Sequence, residues 1–122
     1  MKIRKGFVSN SSSTAYIITN RSNIKKKLSD FVEENGRKIL RDFRAEFPND
    51  PLEDFDGFKI NFEDIMKVAK SDSYDYVWQP KEAKYCVFGD EQRNKLGLVF
   101  DYALRGGGSS KNWIWKYKEA LR

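Results

Sequence analysis

Apolar residues recur at helical spacing along the first half of the chain and predict one long amphipathic helix. They fall three or four positions apart on one face, and they are Ile24, Leu28, Phe31, Val32, Ile39, Leu40, Phe43 and Phe47. Asn20–Asn23 supplies a turn and an N-cap before this stripe, and Pro48 ends the helix. Gly36 lies within the helix and either kinks it or lets another element approach closely.

Patterns typical of strands lie on both sides of that helix. The predicted strands are Thr14–Thr19, Tyr74–Gln79, Ala83–Phe88 and Leu96–Leu104. A shorter second helix fits Phe62–Ser71, after an acidic loop at 48–57. Trp113–Lys118 alternates like a strand, although a helix capped by Ser110 fits the same residues.

This order of elements indicates an α+β fold. We expect an antiparallel sheet of about four strands, with the long helix and the short helix packed on it. The length of 122 residues fits a single domain over 1–122. Residues 1–13 are expected to form a flexible N-terminal segment.

The residue inventory argues against most familiar catalytic sites. The chain contains no histidine, so a Ser-His-Asp or Cys-His site and a zinc site of ordinary composition are excluded. Cys86, the single cysteine, lies between Tyr85 and Val87 and is expected to be an inert core residue. We therefore expect no enzyme activity and no cofactor.

The opening of the chain carries a resemblance to known proteins. Lys2, Arg4 and Lys5 lead into Gly6–Asn10, and a serine run then precedes the first strand. This segment resembles the start of small uncharacterised phage and bacterial proteins, which begin with basic residues, Gly-Phe-Val-Ser-Asn, several serines and a strand. Thr14–Tyr16 departs from the pattern, which has further Ser and Phe there. The resemblance implies a phage-type protein and brings no assigned reaction or site.

Charge is segregated along the chain. Residues 1–44 carry a balance of +7, residues 45–75 of −6 and residues 76–122 of +4, within a total of +5. The candidate residues for binding a partner or a phosphate are Lys2, Arg4, Lys5, Ser9, Asn10, Arg37, Arg41 and Arg44. The alternative is structural: the serine run is then a solvated loop, and the helix arginines complement the helix dipole and nearby carboxylates.

Aromatic residues near the end of the chain are candidates for stacking. Trp113, Trp115 and Tyr117 fall at alternate positions with Lys111, Lys116 and Lys118 close by, which is typical of a surface that binds single-stranded nucleic acid. Rings at alternate positions are also typical of the buried face of a strand. Gly106–Lys111 contains ingredients of a phosphate loop but lacks its final Gly-Lys-Ser/Thr, so a flexible hairpin loop is expected.

These observations leave three functional hypotheses. The first is a small non-enzymatic phage-type binding protein that occupies a surface on a host protein or nucleoprotein and modulates it. The second is a nucleic-acid-binding module that uses the basic helix and the aromatic, basic C-terminal segment. The third is a histidine-free enzyme. We expect a cytoplasmic protein without a membrane partner, since no apolar run reaches the roughly 18 residues that span a bilayer; the oligomeric state is left open.

The acidic loop generates a prediction about metals. Asp54, Asp56 and Glu63 overlap the calcium loop of an EF-hand, but Leu52 stands at its first position, where a carboxylate is needed. We therefore expect no tight calcium or zinc site. Calorimetric titration should show no binding at micromolar metal. Calcium affinity in that range, lost in Asp54→Ala, would contradict the prediction.

Overall fold

The computed structural model describes residues 13–53, 57–71, 76–89 and 94–121. These residues form three helices, a four-stranded antiparallel sheet and a separate two-stranded sheet, which confirms the α+β prediction. The elements are β1 (Ser13–Asn20), β2 (Lys26–Lys27), α1 (Leu28–Glu46), α2 (Phe62–Lys70), β3 (Val77–Trp78), β4 (Ala83–Gly89), α3 (Lys95–Ala103), β5 (Gly108–Ser109) and β6 (Trp113–Leu121). Within this described part, no helix is long and apolar enough to cross a membrane.

Strand β1 lies at the centre of the four-stranded sheet. It pairs antiparallel with β4 on one side and with β6 on the other, in the order β4-β1-β6-β5. Side chains alternate between the two faces of a strand, and Tyr16 and Ile18 are fully buried on the inner face of β1. The strand predicted at Thr14–Thr19 is confirmed. It also includes Ser13, which we had assigned to the flexible segment; residues 1–12 lie outside the described residues.

One further strand prediction is confirmed, and one segment that the sequence left open is a strand. β4 covers the segment Ala83–Phe88, and β6 runs from Trp113 to Leu121 as a strand rather than a helix. Of the strand predicted at Tyr74–Gln79, only Val77–Trp78 is strand among the described residues, and 72–75 lie outside them.

Helix α1 begins at Leu28, later than predicted. Lys27 is its N-cap, and the Lys27 N–H donates to the Asp30 carboxylate at 2.8 Å. The turn before it is closed by Asn20, whose Nδ2 donates to the carbonyl oxygen of Ile24 at 2.7 Å. Ile24 therefore lies outside the helix and is 61% exposed. Its prediction as a core residue is wrong.

The remaining apolar stripe of α1, from Leu28 to Phe43, is buried. Phe31 lies at its centre and packs edge-to-face against Trp113 and Trp115, with ring centroids 5.2 and 5.3 Å apart. Phe31 also meets Phe100 of α3 at 6.0 Å. Such ring pairs add to the free energy gained by burial. Phe31 therefore joins α1 to the sheet and to α3.

The segment Leu96–Leu104, predicted as a strand, instead forms most of helix α3. Asn94 caps this helix by accepting a hydrogen bond from the Gly97 N–H at 2.7 Å. Every residue from 96 to 101 is buried, so the helix lacks the polar side that would reveal its period. A short apolar run of this kind does not distinguish a buried helix from a buried strand.

The fourth strand of the sheet comes from the glycine run that we had predicted as a hairpin loop. Gly108 and Ser109 form β5 and pair with Trp115 and Ile114 of β6. A Cβ on Gly108 would lie 2.5 Å from the Trp115 indole. The absence of a side chain at Gly108 therefore lets β5 lie against that ring.

A buried polar cluster ties α3 to β1. Thr14 Oγ1 donates to Asp101 Oδ1 at 2.8 Å, and the Tyr16 hydroxyl donates to the Asp101 carbonyl oxygen at 3.0 Å. Arg105 donates to Thr14 Oγ1 at 2.6 Å and to the Asp101 carbonyl oxygen at 2.9 Å. Burial raises the pKa of Tyr16, so its hydroxyl stays protonated and keeps donating. The buried Asp101 carboxylate is thus compensated by hydrogen bonds and a nearby cation.

The placement of α1 generates a prediction about stability. Phe43→Ala should lower the free energy of unfolding by about 3–5 kcal/mol, because it removes a buried ring and leaves a cavity. Ile24→Ala is the matched control and should change it by less than about 0.5 kcal/mol, since Ile24 is exposed. Urea unfolding followed by circular dichroism measures both. A Phe43→Ala protein that unfolds like the wild type would contradict this assignment of the core.

Candidate functional site

Three of the predicted basic residues lie together on the side of α1 that faces away from the sheet. Arg37, Arg41 and Arg44 are spaced by four and three residues, which places them on one helical face, and all three are exposed. Lys2, Arg4, Lys5, Ser9 and Asn10 lie outside the described residues. The candidate site is therefore built on α1, and we call it the arginine surface: Arg37, Arg41 and Arg44.

Neutral groups hold two of these arginines in place. The Arg37 guanidinium lies over the Phe62 ring, 3.8 Å from its centroid, in a cation–π contact. Arg44 Nη2 donates to the carbonyl oxygen of Ile60 at 3.0 Å. Neither contact cancels the positive charge. The two guanidinium groups are therefore positioned against the start of α2 while their charges stay available to a partner.

Arg41 has a weaker constraint. Its Nε lies 3.8 Å from an Asp42 oxygen, and both side chains are more than half exposed, at 72% and 55%. The Lys38 ammonium donates a hydrogen bond to the same carboxylate at 2.7 Å, and this bond is the main reason why the pKa of Asp42 is lowered. Exposed pairs of this type contribute little to stability. Arg41 can thus turn toward a bound partner at small cost.

Gly36 explains why α2 comes so close to α1. Asn61 caps α2 by accepting a hydrogen bond from the Asp64 N–H at 3.0 Å, and this places Phe62 in the first turn. A Cβ on Gly36 would lie 3.0 Å from the Phe62 ring. Of the two roles that the sequence left open for Gly36, the structure supports close approach.

Phe58 is an exposed aromatic residue that the sequence reasoning missed. It is 66% exposed and lies two residues before Ile60, the residue that Arg44 contacts. An aromatic residue followed by Lys59, directly after an acidic loop, was the available signal. Phe58 is therefore an exposed aromatic side chain close along the chain to the residue that anchors Arg44.

Glu34, on the same helix, binds a turn of the sheet. Its carboxylate accepts hydrogen bonds from the Ser110 hydroxyl at 2.6 Å, the Asn112 N–H at 2.9 Å and Asn112 Nδ2 at 2.6 Å. Partial burial by itself would raise the pKa of Glu34, but these hydrogen bonds outweigh it and the pKa is lowered. Glu34 thus fixes the turn before β6 to α1.

The aromatic residues proposed for stacking are mostly in the core. Trp113 is fully buried and Trp115 is 7% exposed, and both rings contact Phe31. Their faces are covered by the helix side of the fold, so neither indole can stack on a base without unfolding. Tyr117 is 46% exposed and is the member of the trio that solvent reaches.

The described residues offer little that could support catalysis. Among them, no group of three or more His, Cys, Asp or Glu side chains could hold a metal ion. Cys86 is buried, and burial raises the pKa of its thiol to about 12, so the reactive thiolate is scarce at neutral pH. Asp54 and Asp56 of the acidic loop lie outside the described residues. The feature of α1 that the described residues do present is the exposed positive charge of the arginine surface.

Comparison with known proteins gives no match. No protein-family model, no curated protein and no solved structure is significantly similar to this chain.

The Glu34 hydrogen bonds generate a prediction about pH. A lowered pKa means that the charged form stabilises the fold above the ordinary carboxyl pKa, and that this contribution is lost as pH falls through the folded-state pKa. Glu34→Gln should therefore be less stable than the wild type at pH 7, by less than about 1 kcal/mol because the site is largely exposed.

The difference should shrink as the pH falls into and below the carboxyl range, and thermal unfolding between pH 7 and 3 measures it. Glu33→Gln removes the same charge from the preceding exposed position and is the control. A constant difference across that pH range would show that the Glu34 charge contributes nothing.

Proposed function

We propose that this protein is a small non-catalytic, phage-type binding protein that uses the arginine surface to occupy an acidic region on a host protein or nucleoprotein. The observation that carries the proposal is the way Arg37 and Arg44 are held. A ring and a carbonyl oxygen fix their guanidinium groups without neutralising them. Charges that are positioned in advance lose less side-chain entropy when a partner binds.

The composition of the neighbouring surface supports a protein partner. Phe58, close along the chain to the residue that anchors Arg44, is exposed and would supply an apolar contact. Arginine and aromatic side chains are enriched at the energetically important centres of protein interfaces. A partner with carboxylates around an apolar residue would satisfy both features.

The sequence adds two supports. The resemblance of the opening segment to small phage proteins points to a host component as the target, and hence to action in the host cytoplasm without a cofactor. The balance of +7 over residues 1–44 favours fast association with an acidic surface. Binding would modulate the host component by covering a surface that it needs.

A nucleic-acid-binding module is the second candidate function. The arginine surface favours it as well, since guanidinium groups also bind phosphates. The burial of Trp113 and Trp115 removes most of the stacking surface on which that function would depend. Salt separates the two candidates, because affinity for nucleic acid falls steeply with salt while an interface with an apolar centre is less sensitive.

A charge-reversal experiment tests the proposed function. Partners are captured from host lysate with and without nuclease, and the captured protein is titrated against wild type and Arg37→Glu/Arg41→Glu at two salt concentrations. The double variant should weaken binding by about tenfold or more at low salt, mainly through slower association. Circular dichroism checks that both proteins are folded.

The control for this experiment is Lys25→Glu/Lys118→Glu, which makes the same charge change at exposed positions outside α1. It should bind nearly as well as the wild type. Equal affinity of the Arg37→Glu/Arg41→Glu protein at low salt would remove the arginine surface from consideration. Capture that disappears after nuclease treatment would favour the nucleic-acid-binding function instead.

A further inference from the structure

The four-stranded sheet has a second face, which we call the outer face. Helices α1 and α3 pack on the opposite side, against residues such as Tyr16, Phe88 and Trp115. Pairing register and alternation assign twelve residues of the three long strands to the outer face. They are Ser13, Ala15, Ile17 and Thr19 of β1, Ala83, Tyr85, Val87 and Gly89 of β4, and Ile114, Lys116, Glu119 and Leu121 of β6.

This face is more apolar than a face exposed to water should be. An antiparallel sheet with one solvated side normally places polar side chains there. Here Tyr85 and Ile114 are 46% and 44% exposed, with Ile17 and Val87 beside them at intermediate exposure. Contiguous exposed apolar surface of this kind is typical of an interface.

A β-bulge gives β6 its arrangement on the outer face. The register between β1 and β6 shifts at Ala15/Tyr16, so that Ile17 pairs with Lys116 while Ala15 pairs with Glu119. Two residues of β6 therefore intervene between the outward-facing Lys116 and Glu119. The hydrogen bond from the Tyr85 hydroxyl to Glu119 Oε2, at 2.9 Å across β1, places Glu119 on this face.

The outward-facing residues of β6 form a self-complementary series. In order they are apolar, cationic, anionic and apolar: Ile114, Lys116, Glu119 and Leu121. Read against a second copy running in the opposite direction, Ile114 lies opposite Leu121 and Lys116 lies opposite Glu119. Because of the bulge, these four residues are spaced symmetrically along β6, so reversal about a single point on the strand relates both pairs.

The same reversal also relates residues of β1 and β4, about the same point along the strands. On β4, reversal sets Tyr85 opposite the smaller Val87. On β1 it sets Ile17 opposite Ala15, which is fully buried, so Ile17 of the second copy lies over the side chains that cover Ala15. The larger exposed apolar side chains therefore lie toward one end of the outer face, with Lys116 on that side of the centre and Glu119 on the other. Self-complementarity in shape and charge is what a two-fold symmetric interface requires.

We propose that the outer face binds a second copy of this chain about a two-fold axis that runs across the strands, with Lys116 of each copy paired to Glu119 of the other. The two sheets pack face to face, as in a sandwich. Two symmetric ion pairs on β6 lie beside the apolar contacts made by Ile17 of β1 and Tyr85 of β4. The proposal is independent of the proposed function, because the arginine surface lies on the far side of α1.

Sedimentation velocity of the full chain, from about 1 to 200 µM, tests the proposal in a range where a moderate dimer dissociates. Wild type should be dimeric at the upper end. Lys116→Glu and Glu119→Lys each bring like charges together and should raise the dissociation constant by about tenfold or more. Lys25→Glu, an exposed change of the same sign, should leave it unchanged.

Mixing the two single variants tests the pairing itself. At the two outward-facing charged positions of β6, a Lys116→Glu chain carries two anions and a Glu119→Lys chain carries two cations. The mixture should therefore form a heterodimer although neither variant dimerises well alone. The charge-swapped Lys116→Glu/Glu119→Lys chain should likewise recover dimerisation to within about threefold. Circular dichroism confirms folding.

Three results would overturn the proposal. They are a wild type that stays monomeric at every concentration, single reversals that leave the dimer intact, and a mixture that forms no heterodimer. The first would leave a different protein as the occupant of the outer face. The other two would place any dimer contact elsewhere on the molecule.

Discussion

The edge-to-face packing of Phe31 against Trp113 and Trp115 is the contact on which the rest of the fold depends. It fixes α1 to β6, and Trp113 also meets Trp78 of the smaller sheet at 5.0 Å. One aromatic centre thus holds the helix and both sheets. Since these rings are buried in the core, the two surfaces that we propose for binding, the arginine surface and the outer face, both point away from it.

The α+β class and the buried side of α1 could be predicted because packing against a sheet repeats with the period of the helix. The residue at which α1 begins could not be predicted in this way. It is decided by the hydrogen bond from Lys27 to Asp30 and by the pairing of β2 with β3, which brings in residues far along the chain. Ile24 was assigned to the helix because its spacing fits, although the chain there is folded into a turn.

Helix α3 and the contacts of the arginine surface likewise could not be predicted from local sequence patterns. Because α3 is largely buried all round, the sequence Leu96–Leu104 shows no helical alternation of apolar and polar residues. Asn94, which caps the helix, was the local sign of it. The common face of the three arginines followed from spacing alone. The contacts that position them did not, since Arg37 over Phe62 and the close approach at Gly36 join segments separated by the acidic loop. The outer-face pattern was hidden by a bulge that periodicity does not show.

The position of β1 also sets the order in which the protein can be completed during synthesis. β1 is the first described element to be made, yet one of its two neighbours, β6, is the last. At about 5–20 residues per second, the ribosome leaves this central strand with an open edge for several seconds. Pairing between such distant segments is also slow to nucleate. The nascent chain therefore passes through a period in which its most buried long strand is half paired, and chaperone binding or premature strand exchange between neighbouring chains competes with folding.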